Sequence, residues 1–418
     1  MQSHPIKNVG FISTRIAGTD GVSLEINKWA EILERNRYDC FYFAGQLSKP
    51  KSRSLLSELA FFEHPEILEI TEALFGKRKR STELTEKIQK IKQKLKEDIY
   101  RFLKKYDIDL IIPENALTIP MNIPLGLAIT EVINETAIPT IAHHHDFYWE
   151  RDRYLVNAGQ DYLNMAFPAD HPSIRHVVIN SIASKELSYR TGISNTIIPN
   201  VLDFEQEPDL IEKEHCKLRK IIGLAQNEYF ILQPTRIVPR KWIERSIEIV
   251  NYMNLKNPTL IISHSSGDEG NEYYRKIVEY AEKLNVRLIL IDHLVGDTKK
   301  GDGKEFTVAD AYQCADLVTY PSGYEGFGNA FLEAIYYQKP IVVNRYSIYK
   351  VDIEPKGFDV ITIDGFATKK CITKIKRVLH NEEMRERMVK RNFELGKRYF
   401  SYEVAEQKLL YLISTLEE

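Results

Sequence analysis

The sequence predicts an α/β protein built from two doubly wound domains, and three observations carry that prediction. The chain has 418 residues, and single cores tend to stop growing beyond about 250–300 residues. Its short apolar runs alternate with amphipathic stretches of helical length, the pattern of parallel sheets covered on both faces. The runs also fall into two sets, one in each half of the chain.

Taken in order, Val9–Ile12, Cys40–Phe43, Leu110–Ile112, Thr140–Ala142 and Val177–Ile179 read as the strands of the first set. Phe230–Leu232, Leu260–Ile262, Leu288–Ile291, Leu317–Thr319 and Ile341–Val343 read as those of the second. Each is apolar at successive positions, as a strand buried on both faces requires. Between the second and third runs, Leu84, Ile88, Ile91, Leu95, Ile99 and Leu103 keep helical spacing, with Lys, Gln and Glu between them. That pattern predicts a helix packed on its own sheet. The basic run Lys77-Arg78-Lys79-Arg80 before it reads as a solvated helix start, with an anionic partner as the sharper alternative. A domain boundary is expected after Ile198-Pro199-Asn200, because residues 202–214 are acidic and contain Pro208, as a connector would. The expected division is residues 1–200, residues 201–381, and helices over 382–418 that return to the N-terminal domain.

Composition narrows the function classes. Hydrophobic residues make up 43% of the chain, which argues for a folded globular protein. A net charge of −2 gives no global field for nucleic acid or a membrane, so neither is expected as a partner beyond peripheral membrane contact. Met1–Asn8 has no apolar leader core, and no apolar run approaches the ~18 residues of a membrane span, so a cytoplasmic location is expected. The cysteines Cys40, Cys216, Cys314 and Cys371 show no CxxC spacing, which favours reduced, buried thiols.

The densest chemistry lies in Pro321-Ser322-Gly323-Tyr324-Glu325-Gly326-Phe327-Gly328-Asn329-Ala330-Phe331-Leu332-Glu333. A strand is expected to end near Tyr320 and a helix to start near Asn329. Glycines between them let backbone approach a ligand closely. The helix start offers N–H groups and a positive dipole end to a diphosphate. Glu325 in the turn is placed to accept hydrogen bonds from sugar hydroxyls, and Glu333, one turn into the helix, from a ribose. The bland alternative is an ordinary strand–turn–helix unit whose first carboxylate caps the helix.

Pro-Ser-x-x-Glu-Gly-Phe-Gly-x-x-x-Leu-Glu-Ala, with two Glu separated by seven residues, resembles glycosyltransferase family 4, and the match continues into Pro340-Ile341-Val342-Val343. The resemblance implies a GT-B fold, two Rossmann-like domains facing across a cleft. It also implies a nucleotide-sugar donor held mainly by the C-terminal domain, with Gly326, Phe327, Gly328, Asn329 and Ala330 among its contacts, and retention of anomeric configuration. A second similar segment is Gln233-Pro234-Thr235-Arg236-Ile237-Val238-Pro239-Arg240-Lys241. It resembles the family's Gly-Arg-x-x-x-x-Lys segment, with Thr235 in place of Gly, and implies that Arg236 and Lys241 neutralise the donor diphosphate. Cations there stabilise the leaving charge without a metal, and no Asp-x-Asp stands at the carboxyl end of a predicted strand. Neither metal nor cofactor is therefore expected.

In the first half, the strand Ile138–Ala142 runs into His143-His144-His145-Asp146-Phe147-Tyr148-Trp149. Relatives place a His here near the anomeric carbon and the sugar's C6 hydroxyl. Any of the three histidines fits that role, and His145, beside Asp146, is the candidate. A zinc site is the weaker reading, because adjacent strand residues point to opposite faces and three in a row chelate poorly. Ser13–Ser23 is similar to the family's Gly-rich loop, which implies donor contacts at Gly18 and Gly21 and acceptor contacts at Arg15 and Asp20. Alone the loop is weak evidence, and it lacks a full G-x-G-x-x-G. Ile197–Asp203 resembles the passage between the two domains, and Asp292-His293-Leu294-Val295 the place where relatives contact the nucleotide base, which implies roles for His293 and Leu294.

The first and third loops are most similar to a group with small charged acceptors, the mannosylglucosyl-phosphoglycerate synthases, whose donor is GDP-mannose. Arg151 and Arg153 beside the His run suit an anionic acceptor. The expected activity is a retaining hexosyl transfer from a GDP-mannose or UDP-glucose type of donor to a sugar or sugar-phosphate acceptor. An epimerase or phosphorylase on the same fold, or a non-catalytic sugar-nucleotide-binding module, are the rivals.

Overall fold

The structure, a computed structural model, describes residues 5–18, 20–255, 257–265, 271–296 and 304–417. The chain divides into two compact units, Met1–Asn200 with Tyr402–Glu418, and Val201–Ser401.

The first unit runs β1 (Asn8–Ile12), α1 (Gly21–Arg35), β2 (Asp39–Ala44), β3 (Ser54–Leu56), α2 (Pro65–Leu74), α3 (Thr82–Tyr106), β4 (Leu110–Pro113), α4 (Ile123–Thr136), β5 (Thr140–His144), α5 (Asp152–Leu155), α6 (Gln160–Ala166), β6 (Ile174–Val178), α7 (Ser181–Thr191) and β7 (Asn195–Ile197). Its strands form one sheet in the order β3-β2-β1-β4-β5-β6-β7, and every pairing is parallel. The order reverses between β1 and β4, and in such sheets ligands bind beyond the carboxyl ends of the strands at the reversal. Helix α3 forms where the spacing predicts it. Ser81 caps its start by accepting from the Leu84 N–H, and Asp107 ends it in the left-handed region at φ 49. Its buried face is Ile88, Ile91, Leu95, Ile99 and Phe102, packed into one core with Leu125, Ile129 and Val132 of α4. Within the basic run, Arg80 is structural: it forms a two-bonded pair with Asp161 (2.8 and 2.8 Å) and reaches the Ala158 carbonyl at 3.0 Å. Lys77, Arg78 and Lys79 are exposed.

The second unit runs α8 (Lys217–Ile221), β8 (Tyr229–Gln233), α9 (Ile243–Met253), β9 (Pro258–Ile262), α10 (Asn271–Lys283), β10 (Arg287–Leu290), β11 (Val295–Gly296), β12 (Phe306–Thr307), α11 (Val308–Cys314), β13 (Leu317–Tyr320), α12 (Asn329–Tyr336), β14 (Ile341–Asn344), β15 (Ile361–Ile363), α13 (Lys369–His380) and α14 (Glu382–Phe400). Its main sheet has the order β10-β9-β8-β13-β14-β15, again all parallel. Strands β13 and β14 are buried at every position, which is why they read as largely apolar runs. The short strands β3, β7 and β15 escaped the sequence reading, because three residues carry too little periodicity to detect.

Two expectations are corrected here. The C-terminal helices do not move together. The last, α15 (Tyr402–Glu417), belongs to the first unit, where Lys408 donates to the Ile197 carbonyl at 2.7 Å and Arg175 to the Thr415 carbonyl at 2.9 Å. Helix α14 stays with the second unit. Asn392 bonds the Asp359 backbone in both directions at 2.7 Å, and a Cβ on Gly396 would fall 2.6 Å from the Phe204 ring. Nor are all four cysteines thiols. Cys216 and Cys314, 98 residues apart, are joined in a disulfide with Cα atoms 5.8 Å apart, while Cys40 and Cys371 are free and buried. Packing of α8 beside α11 creates that pair, which no local spacing announces. Among the described residues, no helix is long and apolar enough to cross a membrane.

Candidate active site

In the second unit, chemistry gathers at the carboxyl ends of the neighbouring strands β8 and β13. β13 ends at Tyr320 and α12 begins at Asn329, so residues 321–328 form the turn that the sequence pattern predicts. The turn is fixed from outside. Asn344 donates to the Ser322 carbonyl at 3.0 Å and accepts from the Gly365 N–H at 2.9 Å. Tyr346 donates to the Phe327 carbonyl at 2.7 Å. Gly328 has φ +119, and a Cβ there would lie 2.4 Å from the Tyr346 hydroxyl, so both backbone and space demand glycine. Phe327 and Ala330 are buried.

Glu325 is the centre of an ion-pair cluster. Lys241 Nζ is bonded to Glu325 Oε1, and Arg240 Nη1 lies 3.1 Å from Oε2. The side chains of Lys241 and Glu325 are only 10% and 9% exposed. Burial alone would raise the Glu325 carboxyl, but the charges of Lys241 and Arg240 outweigh it and hold it below the usual carboxylate range. The sequence reading gave Glu325 to sugar hydroxyls and Lys241 to the diphosphate, and the structure joins the two directly. Each keeps bonding capacity: a carboxylate offers about four acceptor positions, and an ammonium three donors. Arg240, overlooked in favour of its neighbour Lys241, completes the cluster. Arg236 is exposed and close enough to Lys241 and the half-buried His264 to depress both electrostatically. Burial, then Lys241 and Arg236, push His264 down to about 4.

Glu333 sits one turn into α12, where the fully buried Tyr312 of α11 donates to its Oε2 at 2.7 Å. His293 and Leu294 lie in the turn after β10. His293 is exposed, 3.7 Å from Asp292, and Leu294 is half-buried. The segment that follows, residues 297–303, lies outside the described residues.

In the first unit, strand alternation splits the three histidines. His143 and His145 turn to one face and both reach Glu114, which continues β4. His143 Nδ1 lies 3.0 Å from Oε2, and His145 Nε2 3.1 Å from the same oxygen. His144 turns to the other face, bonded to Thr118 and, through Nε2, to His176 Nδ1 at 2.9 Å. Burial first, then the neighbouring histidines, push His144 well below its ordinary value. Burial takes His176 to about 4. Glu114, His143 and His145 bring ligand-type atoms within 4.8 Å of one another, a set able to hold a metal. The expectation of a poor chelate holds for three consecutive histidines, but two of them with Glu114 form a better one. No local pattern pointed to Glu114.

The predicted acceptor residues are largely engaged within the protein. Asp20 caps α1, accepting from the Val22 and Ser23 N–H groups at 3.1 Å each. Its other oxygen takes the Ser23 hydroxyl at 2.7 Å and Arg15 Nε at 3.2 Å. Arg151 is paired with Asp146. Arg153 is exposed and stacks on the Tyr154 ring at 4.6 Å. Gly18 has φ +73 with open space around it, and Gly21 begins α1, while Thr19 of the same loop lies outside the described residues.

Two helix-covered parallel sheets, the second carrying this cluster at its strand ends, are the architecture of the GT-B glycosyltransferases. The family model "Glycosyl transferases group 1" matches residues 215–394. Mannosylglucosylglycerate synthase of Thermotoga maritima is 32% identical over 93% of this chain and 96% of its own length. The enzyme of the same name from Petrotoga mobilis is 32% identical over 94% and 98%. Among solved structures, a glycosyltransferase from Rickettsia africae superposes with a TM-score of 0.70 at 11% identity, covering 99% of each chain. The chain belongs to the group 1 glycosyltransferases and is a hexosyltransferase with a GT-B fold, similar in sequence to mannosylglucosylglycerate synthases.

Proposed function

We propose that the enzyme transfers mannose from GDP-mannose, with retention, to a hydroxyl of a small anionic glucoside such as glucosylglycerate. The names of the two relatives motivate the mannosyl group and the glucosylglycerate acceptor, while the GDP carrier rests on the sequence resemblance alone. They also replace the phosphoglycerate acceptor suggested by the loop resemblance with glycerate. The observation that carries the reading is the buried Lys241–Glu325 pair with the more exposed Arg240 on it and Arg236 beside it, and with Glu333 held on α12.

In the proposed reaction the bond from the anomeric carbon to the diphosphate oxygen breaks and a bond to the acceptor oxygen forms on the same face. The acceptor's proton passes to the leaving phosphate, so no protein nucleophile is needed. Arg236 and Lys241 stabilise the charge that develops on the leaving group. Glu325 orients the sugar and Glu333 binds the ribose. His145 serves the sugar as the resemblance implies, and Arg153, exposed on its own unit, meets the acceptor carboxylate.

No metal is required in this scheme, because the cations supply the charge. The test combines GDP- and UDP-sugars with glucosylglycerate in the presence of EDTA. Expected are acceptor-dependent GDP release and an α-mannoside by NMR. A β-linked product would overturn retention. Activity lost to EDTA and restored by magnesium would overturn the metal-free scheme, and turnover with UDP-glucose alone would overturn the donor.

A further inference from the structure

We propose that Glu114 is a positioning residue for transfer: its carboxylate holds His145 through Nε2, so that Nδ1 is the nitrogen presented to the substrate. The proposal rests on the reading that His145 serves the transferred sugar.

Glu114 has no exposed surface. A carboxylate so placed is costly unless its oxygens are met by donors. The donors are imidazole nitrogens: His143 Nδ1, 3.1 and 3.0 Å from the two oxygens, and His145 Nε2, 3.1 Å from one. Both must carry hydrogen to face an ionised carboxylate. In neutral His145 that leaves the lone pair on Nδ1, an acceptor for a hydroxyl; in the protonated ring Nδ1 becomes a donor. Burial works against the charged ring, but the bond to Glu114 and its charge outweigh it and raise His145.

The rest of the cluster is packed and hydrogen-bonded. The His143 ring stacks on Trp29 of α1 with centroids 4.0 Å apart. The His145 backbone N–H donates to Asn115 Oδ1 at 3.1 Å, and Asn115 Nδ2 bonds Asp146 at 3.2 Å. His143 is 1% exposed and His145 11%, so of the rings on Glu114 it is His145 that reaches the surface. A bound metal fits less well. His143 Nε2 is buried without a partner among the described residues, whereas a ligating imidazole ordinarily donates its second N–H to an acceptor.

Two measurements on the full chain test this. The first is ¹⁵N NMR of histidine-labelled wild type, with the His145 signals identified by their loss in His145→Gln. At a pH where the ring is neutral, hydrogen on Nε2 is expected, and hydrogen on Nδ1 would overturn the proposal without any change to Glu114. The second is Glu114→Gln, with folding checked by thermal melting. Its kcat should fall about 10²-fold while KM for the donor stays close to wild type, and wild-type kcat in the folded variant would overturn the proposal. Stoichiometric zinc in the wild type that disappears in Glu114→Gln would also overturn it, making the carboxylate a ligand. If the wild type transfers no hexose from any nucleotide sugar, the functional reading fails while the NMR result still decides the placement of His145.

Discussion

Removing Glu325 should cost stability as well as activity, and the structure sets the size of the effect. Glu325→Ala leaves Lys241 Nζ on a side chain only 10% exposed, with Arg240 and Arg236 as positive neighbours. Breaking a buried pair by deleting one partner costs about 3–5 kcal/mol, because the remaining charge is stranded. We take the lower figure, about 3 kcal/mol, since Lys241 sheds its proton more readily once unpaired. For a domain of this size that corresponds to a fall in Tm of about 6–12 °C. The Arg240 contact adds little, because Arg240 is 41% exposed. Replacing both partners, Lys241→Met with Glu325→Leu, should recover most of the stability while turnover stays abolished. The assay is thermal and urea unfolding of both singles and the double, beside steady-state rates. A loss below about 1 kcal/mol in Glu325→Ala, the scale of an exposed pair, would refute a buried cluster. The pH dependence has a definite sign. The folded-state pKa of Glu325 is lowered from 4.5, so its contribution is present above that value and lost as pH falls through the lower, folded one.

Arg236→Ala should leave Tm unchanged, since the side chain is exposed, and lower turnover about 10²-fold by removing charge from the leaving group; wild-type turnover would remove it from the site. Glu333→Ala should weaken calorimetric GDP binding by about 1–3 kcal/mol for a lost charge-assisted bond. Tyr312→Phe, which frees the Glu333 carboxylate from its buried donor, should weaken it by about 1 kcal/mol. Unchanged GDP affinity in Glu333→Ala would exclude the ribose role. Thiol labelling of the denatured, unreduced chain should count two cysteines, Cys40 and Cys371, and four after reduction; four before reduction would exclude the disulfide.

Most of the architecture was legible because it rests on local signals. Strands buried on both faces are mostly apolar, so β4, β8, β13 and β14 announced themselves. The turn before α12 was legible because Gly328 sits where other residues fit neither backbone nor space. The body of α3 was legible from periodicity over Leu84–Leu103, while its observed limits, Thr82–Tyr106, are set by Ser81 at its start and Asp107 at its end. What the tertiary structure alone decided is which side chains meet. Lys241 finds Glu325 across 84 residues, and His145 finds Glu114 across 31. Cys216 finds Cys314 across 98. The first two pairings depend on strand order, β8 beside β13 and β4 beside β5, and the third on how α8 and α11 pack. The separation of α14 from α15 has the same origin, since both are amphipathic and only their burial partners differ. Periodicity tells a segment which face to bury. The partner that covers that face is chosen by the free energy of the whole sheet and its helices, a quantity no local window of sequence contains.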